Sequence, residues 1–290
     1  MDLRHCAELA CILEATARKV GNVHPGREFA DLKYLDFLKS AVAIGPTIAA
    51  AKFRPLGSLI VESIRATQEV VRTNSNLGIV LLLAPLAKGL AAGGDRTAAR
   101  ARVAKALAET TVEDCRLTYE AIQLANPGGM GKVEAQDIAE IPSVTLRAAM
   151  ELAADRDLVA RQYANDFQDV FDLGLPALEG ALGAGAGLEE SIVVCQLAWM
   201  SAFPDSLIGR KHGSEEAVRI QGLAAEVLRC GADRRFCAWE SDPELLKLDE
   251  ILRNPQSRRN PGTAADLTAA TLFLWLATSD LSGDSVTFSG

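Results

Sequence analysis

The segment Thr73-Asn-Ser-Asn-Leu-Gly78 gathers hydroxyl and amide side chains immediately ahead of the apolar run Ile79 to Ala87. One short polar side chain is enough to accept the free backbone N–H groups at a helix start, and Thr73 or Asn76 can serve as that cap. Here Thr73, Asn74, Ser75 and Asn76 are all polar. Surplus donors beside the positive end of a helix suit an anion or a ribose, so Thr73, Asn74, Asn76 and Gly78 are read as substrate-binding residues.

Four further loops mix glycine or proline with polar or charged side chains. Glu14 to Arg27 carries Lys19, Gly21 and Asn22; its bases can meet phosphate oxygens, and the same residues also read as a plain helix end. Asn126-Pro-Gly-Gly-Met-Gly131 offers backbone N–H groups at most, or is a simple turn. In Asp205-Ser-Leu-Ile-Gly-Arg-Lys-His-Gly213, Asp205 can hold Mg²⁺ while Arg210 and Lys211 bind phosphates, and a salt-bridged surface turn reads equally well. In Arg258-Arg-Asn-Pro-Gly-Thr-Ala-Ala-Asp266, bases precede a helix start whose acid, Asp266, can also merely offset the helix dipole. Asp166, Asp169 and Asp172 share one helix face at three-residue spacing, as a cation-binding row or a solvated acidic face. No GxxxxGK[ST] loop occurs, and no GxGxxG follows a strand.

These residues need helices to hold them. Apolar positions recur at three- and four-residue steps from Leu3 to about Lys19, Tyr34 to Ala51, Leu59 to Val71, and from Leu77 onward. The same pattern predicts helices over Thr97 to Leu124, Ser143 to Phe171, Leu188 to Trp199, Glu215 to Leu228 and Thr263 to Leu281. Phe203 to Gly213 and Arg253 to Gly262 read as loops. No strand-period segment of useful length appears. The expectation is an all-α fold: a compact single-domain array of roughly ten or more helices spanning residues 1–290.

Composition agrees. Among 290 residues, 49% are apolar and only 5% aromatic, a balance that favours helices over sheets. A net charge of −8 argues against a general nucleic-acid binder, but leaves room for a small phosphorylated ligand met by local donors. The longest apolar stretch is nine residues and holds Pro85, against about 20 needed to span a bilayer. No membrane partner is expected, and the start Met1-Asp-Leu-Arg-His-Cys lacks the pattern of a secretory signal. Six cysteines without a CxxC pair read as reduced, mostly buried thiols of a cytoplasmic protein. Three scattered histidines write neither a zinc pattern nor an identifiable triad.

In chain order, the Lys19-x-Gly21 loop, Thr73-Asn-x-x-x-Gly78, Asp205-x-x-x-x-Arg210 and Asn260-Pro-Gly-x-x-Ala-Asp-Leu267 resemble the triphosphoribosyl-dephospho-CoA synthase family. The likeness runs from about Glu14 to Leu274. It implies an all-helical transferase of cofactor biosynthesis that moves the triphosphoribosyl part of ATP onto a ribose hydroxyl of dephospho-CoA and releases adenine. By position it implies Lys19, Gly21, Asp31, Asn74, Gly78, Asp205, Arg210, Gly262 and Asp266 as site residues. Val20 stands where the family has proline, and Asn260 and Thr263 replace its serine and glycine. Asn76 and Leu77 stand where the family signature has His and Lys. Histidine can carry a proton to a leaving base and lysine can hold phosphate charge; asparagine and leucine do neither.

On that resemblance Glu14, Asp205 and Asp266 are the carboxylates expected near a ribose carbon that gains positive charge. Lys19, Arg210 and Arg259 are expected to hold phosphates, with Asn22, Asn260 and Gly262 as further substrate contacts. ATP is the expected substrate and Mg²⁺, on Asp205, the expected cofactor; the partner is a phosphorylated small molecule, and an oligomer stays open. Two alternatives stand beside this reading. One is an enzyme of tetrahydromethanopterin-type one-carbon carrier synthesis using the same pocket. The other is a non-catalytic nucleotide-binding or scaffold protein.

Overall fold

The computed structural model describes residues 1–126, 138, 140–232, 242–255 and 258–279. Among them the chain is all-helical: fourteen α-helices and one π-helical turn, with only two isolated β-bridges and no strand. The first four helices are α1 (Leu3–Thr16), α2 (Tyr34–Ala49), α3 (Leu56–Val70) and α4 (Leu77–Leu90). Then come α5 (Arg96–Ala108), α6 (Val112–Ala125), α7 (Leu146–Glu151) and α8 (Leu158–Ala164). The π-helical turn Val170–Gly174 leads into α9 (Leu175–Gly183), followed by α10 (Leu188–Ala202) and α11 (Ser206–His212). The chain continues through α12 (Ser214–Ala232), α13 (Pro243–Arg253) and α14 (Gly262–Thr278).

Helices α4 and α14 are apolar nearly all round, the sequence signature of helices enclosed by others. Every residue of α4 except Gly78 and Lys88 is buried. Helix α14 packs on α1, α4 and α10, and α3 lies on α6. Two of the three threonines buried in α14 satisfy themselves: Thr268 and Thr271 each donate 2.8 Å to the carbonyl four residues back. Each large apolar side chain that α14 buries, such as Leu272 and Phe273, contributes roughly 1.5–3 kcal/mol.

Several expected helices are divided. Thr97 to Leu124 is two helices, because Thr111 and Asp114 form a capping box. The Thr111 hydroxyl accepts from Asp114 N–H at 3.1 Å, and the Asp114 carboxylate accepts from Thr111 N–H at 2.9 Å. Ser143 to Phe171 breaks where Asp157 caps α8 and again where Asp166 and Phe167 adopt left-handed φ of 56° and 62°. The acidic row dissolves with it: Asp166 pairs with Arg147, Asp169 with Arg161 and Asp172 with Arg100. Phe203 to Gly213 is not wholly a loop, since α11 occupies seven of its residues, Ser206–His212. Helix α13 has no counterpart in the periodicity reading.

The Asn126 to Gly131 loop lies outside the described residues after Asn126, as do Cys237 and residues 256–257, while α14 ends at Thr278 with Ser279 extended, short of the expected Leu281. The other five cysteines are free thiols, four of them buried. Among the described residues no single helix is long and apolar enough to cross a membrane.

Candidate functional site

A cavity of about 990 Å³ opens where the end of α1, the 72–76 loop, the start of α4, α11 and the 258–266 segment meet. Of the residues singled out from sequence, Glu14, Asn22, Asp31, Thr73, Asn74, Asn76, Gly78, Arg210, Asn260, Gly262 and Asp266 line it. Lys19, Gly21, Asp205 and Arg259 do not.

Asp266, one turn into α14, lies against the first turn of α4. The approach depends on Gly78: a Cβ there would stand 2.0 Å from Asp266 Oδ2. No described residue donates a hydrogen bond to this carboxyl. Burial, and after it the negative charges of Glu14, Asp205 and Asp157, push its pKa well above the usual carboxylate range, with Arg210 opposing. Glu14, also buried, is tied to the fully buried Lys19 at 3.0 Å. Lys19 Nζ also donates to the Glu14 carbonyl oxygen and, at 3.5 Å, to that of Ala17. Lys19 is therefore the counter-ion behind an acidic wall, not a phosphate ligand. A lysine enclosed to this degree needs a carboxylate and carbonyls around it.

The cationic wall is Arg72, Arg156, Arg210, Lys211 and Arg258. Arg210 pairs with Asp157 and Arg258 with Asp31, and Arg258 also stacks on Phe29 with 4.4 Å from its guanidinium carbon to the ring centroid. The Arg258 hydrogen bond holds the Asp31 carboxyl below its ordinary pKa. Arg72, Arg156 and Lys211 hold no ion pair among the described residues, and Arg156 donates to the Leu152 carbonyl oxygen at 2.9 Å. Burial, followed by the neighbouring Arg258, lowers the pKa of Lys211. A partly desolvated ammonium beside a guanidinium is stabilised by an incoming anion.

Between the walls runs a chain of amides. Gln196, fully buried on α10, donates to the Val20 carbonyl at 2.9 Å and to Asn22 Oδ1 at 2.7 Å. Asn22 in turn donates to Asn260 Oδ1 at 2.7 Å. Each bond fixes the next amide, leaving the Asn260 NH₂ group beside Gly262 at the cavity. Gly21 brings the two loops together. Its φ is +72°, a Cβ would stand 2.7 Å from Pro261 Cδ, and its N–H donates to Asp249 Oδ1 at 2.7 Å. Asp249, buried on α13, also pairs with Arg27 and Arg253.

Three further placements differ from expectation. Asp205 is not positioned to hold a metal: Oδ1 accepts from Leu207 and Ile208 N–H at 2.9 and 3.1 Å, and Oδ2 accepts from Ala264 N–H at 2.8 Å. It clamps the starts of α11 and α14 together. Burial nonetheless raises its pKa to about 6, the three donors opposing. Arg259 turns to Glu216 on α12, and its neighbour Arg258 faces the cavity instead. Neither Asn76 nor Thr73 caps α4 through its side chain. Asn74 Oδ1 accepts from Leu77 N–H at 3.2 Å, and Asn76 donates to Thr67 Oγ1 at 2.9 Å.

Sequence reading missed Gln196, Asp249 and the lining role of Arg258. A glutamine inside an apolar helix such as α10 was the available signal for the first. The other two have none, because contacts across more than 200 residues leave no local pattern.

The profile of the ATP:dephospho-CoA triphosphoribosyl transferase family matches residues 1–284. A protein of Stutzerimonas stutzeri, assigned as a probable 2-(5''-triphosphoribosyl)-3'-dephosphocoenzyme-A synthase, is 38% identical over 124 residues, 40% of this chain and 39% of that protein. The 2-(5''-triphosphoribosyl)-3'-dephosphocoenzyme-A synthase of Klebsiella pneumoniae is 32% identical over 108 residues, 37% of each chain. The aligned part thus spans under two-fifths of the length of these curated relatives. A crystal structure from Archaeoglobus fulgidus, provisionally assigned as a triphosphoribosyl-dephospho-CoA synthase, superposes with a TM-score of 0.63 at 26% identity. It covers 83% of this chain and 98% of its own. The match over nearly the whole sequence and the shared helical architecture place the chain in the ATP:dephospho-CoA triphosphoribosyl transferase family.

Proposed function

We propose that the protein transfers the triphosphoribosyl group of ATP to a ribose hydroxyl of dephospho-CoA, releasing adenine. The observation that carries this is one cavity holding Asp266, an acid with no hydrogen-bond donor among the described residues, together with three cations that hold no ion pair among them, Arg72, Arg156 and Lys211. The cations suit a triphosphate, and the acid suits the reacting ribose.

In this reaction the C1′–N9 bond of ATP breaks and adenine leaves with the bonding electrons. The acceptor hydroxyl oxygen bonds to C1′ and gives up its proton, so one proton passes overall from acceptor to adenine. Asp266 keeps its proton further toward neutral pH than an ordinary carboxyl, so it can hand that proton to the departing base. This is the task the missing signature histidine would have served. Glu14, ion-paired to Lys19, sets a negative charge near a C1′ that turns positive as the bond breaks. Asn260 offers its amide N–H groups to ribose or phosphate oxygens.

The residues present do not fit a protein-built Mg²⁺ site. Among the described residues no three ligating side chains cluster, the Asp205 oxygens are spent on backbone, and Asp31 and Asp157 are paired with arginines. The comparisons favour neither the pterin-cofactor alternative nor an idle scaffold.

The test is adenine release, followed by chromatography, from purified protein given ATP and dephospho-CoA. Adenine should appear in step with a heavier dephospho-CoA derivative. Release no faster than in protein-free controls overturns the assignment.

A further inference from the structure

The cavity is larger than its polar half. Past the 72–76 loop it continues between α3, α4, α6, α7 and α8, and there the walls change character. Tyr119 and Ile122 from α6, Leu146 and Met150 from α7, and Val159 and Ala160 from α8 enclose it, all of them buried. Of the charged lining residues, Arg156 and Asp157 stand just ahead of α8, where Asp157 joins Arg210 of α11. The polar half is thus a charged chamber, and the second half a largely aliphatic arm leading out of it.

At about 990 Å³ the whole space is at the upper end of what one small ligand fills, roughly 300–1,000 Å³. The two proposed substrates differ in the part not held by charge. ATP has only its purine outside the ribose and triphosphate. Dephospho-CoA carries a long uncharged chain with a gem-dimethyl group, two amides and a terminal thiol. With its reacting ribose by Asp266 and its pyrophosphate among the cations, that chain must leave the charged chamber.

We propose that the aliphatic arm between α6, α7 and α8 is the binding site for the pantetheine chain of the acceptor. This rests on the transfer reaction proposed above. The arm is then the acceptor-specificity site, separating dephospho-CoA from nucleotides that share its adenosine diphosphate portion.

Ala149 and Ala153 line the arm and are only partly buried, so a larger side chain at either can grow into the space without replacing core. Calorimetric binding of dephospho-CoA, ADP and ATP to the full chain and to Ala149→Phe and Ala153→Phe provides the test. ADP is dephospho-CoA without its pantetheine. The wild-type protein should bind dephospho-CoA at least tenfold more tightly than ADP. Either variant that keeps the wild-type melting temperature should lose that advantage and still bind ATP within twofold. Equal affinity for dephospho-CoA and ADP in the wild type overturns the proposal. So does an advantage that survives in both variants, or variants that weaken ATP instead. Adenine release is read separately: its absence from the wild type defeats the transfer reaction, while the pantetheine advantage, if present, still upholds the arm.

Discussion

Asp266 owes its chemistry to what surrounds it. The same carboxyl in the first turn of an exposed helix would be ionised and favoured by the dipole. Here burial and the nearby Glu14 charge oppose ionisation, and Gly78 leaves the space in which it sits. If Asp266 donates the proton to adenine, kcat should hold at acid pH and fall as pH rises through its elevated pKa. Asp266→Asn should lower kcat by about 10²–10⁴ and abolish that alkaline limb, with far less change in KM. A variant whose pH profile overlays that of the wild type would remove Asp266 from the acid role. The places of Asn22, Asn260 and Gly78 at the cavity were legible in the sequence, because an amide or glycine at a helix boundary is a local pattern, whereas Glu14 and Asp266 were singled out through the family resemblance. Lys19, Asp205 and Arg259 were legible only as residue types. Which way each points is decided by partners far along the chain, and a base near a glycine serves equally as phosphate ligand or counter-ion. Asp205, whose oxygens bond Leu207, Ile208 and Ala264, is the clearest instance.

At the scale of elements, the site is held by pairs of helix ends. Asp114 shows how one side chain ties two helices: within α6 it completes the capping box with Thr111, and its Oδ1 also accepts the Gly57 N–H of α3 at 2.8 Å. A Cβ at Gly57 would stand 2.6 Å from the Asp114 Cα, so α3 and α6 meet there at backbone distance. Asp114→Ala breaks the box and strands a buried N–H. It should cost about 2–4 kcal/mol of unfolding free energy, against roughly 1 kcal/mol for Thr111→Ala. Chemical denaturation of both variants decides this; equal losses would mean that the cross-helix bond adds nothing. Long, strongly periodic helices such as α2 and α3 were plain from apolar spacing, and α4 from its continuous apolar run. Breaks at Thr111 and Asp166 were not, because the periodicity on either side of each continues nearly in phase. Helix α13 went unread because Pro243 and its charged residues resemble a loop until Leu245, Leu248 and Leu252 are found buried together.

For the molecule as a whole, two buried groups pull stability in opposite directions with pH. His24 is held near a pKa of about 4 by burial and by Arg253, so its contribution is full above pH 6.5 and is lost as pH falls toward 4. Asp205, raised to about 6, has the reverse sign: its contribution is full below about 4 and is lost as pH rises through 6. Melting temperatures at pH 7 and pH 4.5 should separate the two. The value at pH 7 minus the value at pH 4.5 should shrink in His24→Gln and grow in Asp205→Asn. Unchanged differences in both variants would show that neither group titrates within this window. The packing of α14 on α1 and α4 carries a further consequence, for the order of synthesis. Glu14 emerges from the ribosome early and Asp266 some 250 residues later, and the cavity has no acidic wall until the second reaches the first. Until α14 docks, α1 and α4 also lack the helix that covers their apolar faces. The step that closes the core therefore also completes the acidic wall of the cavity.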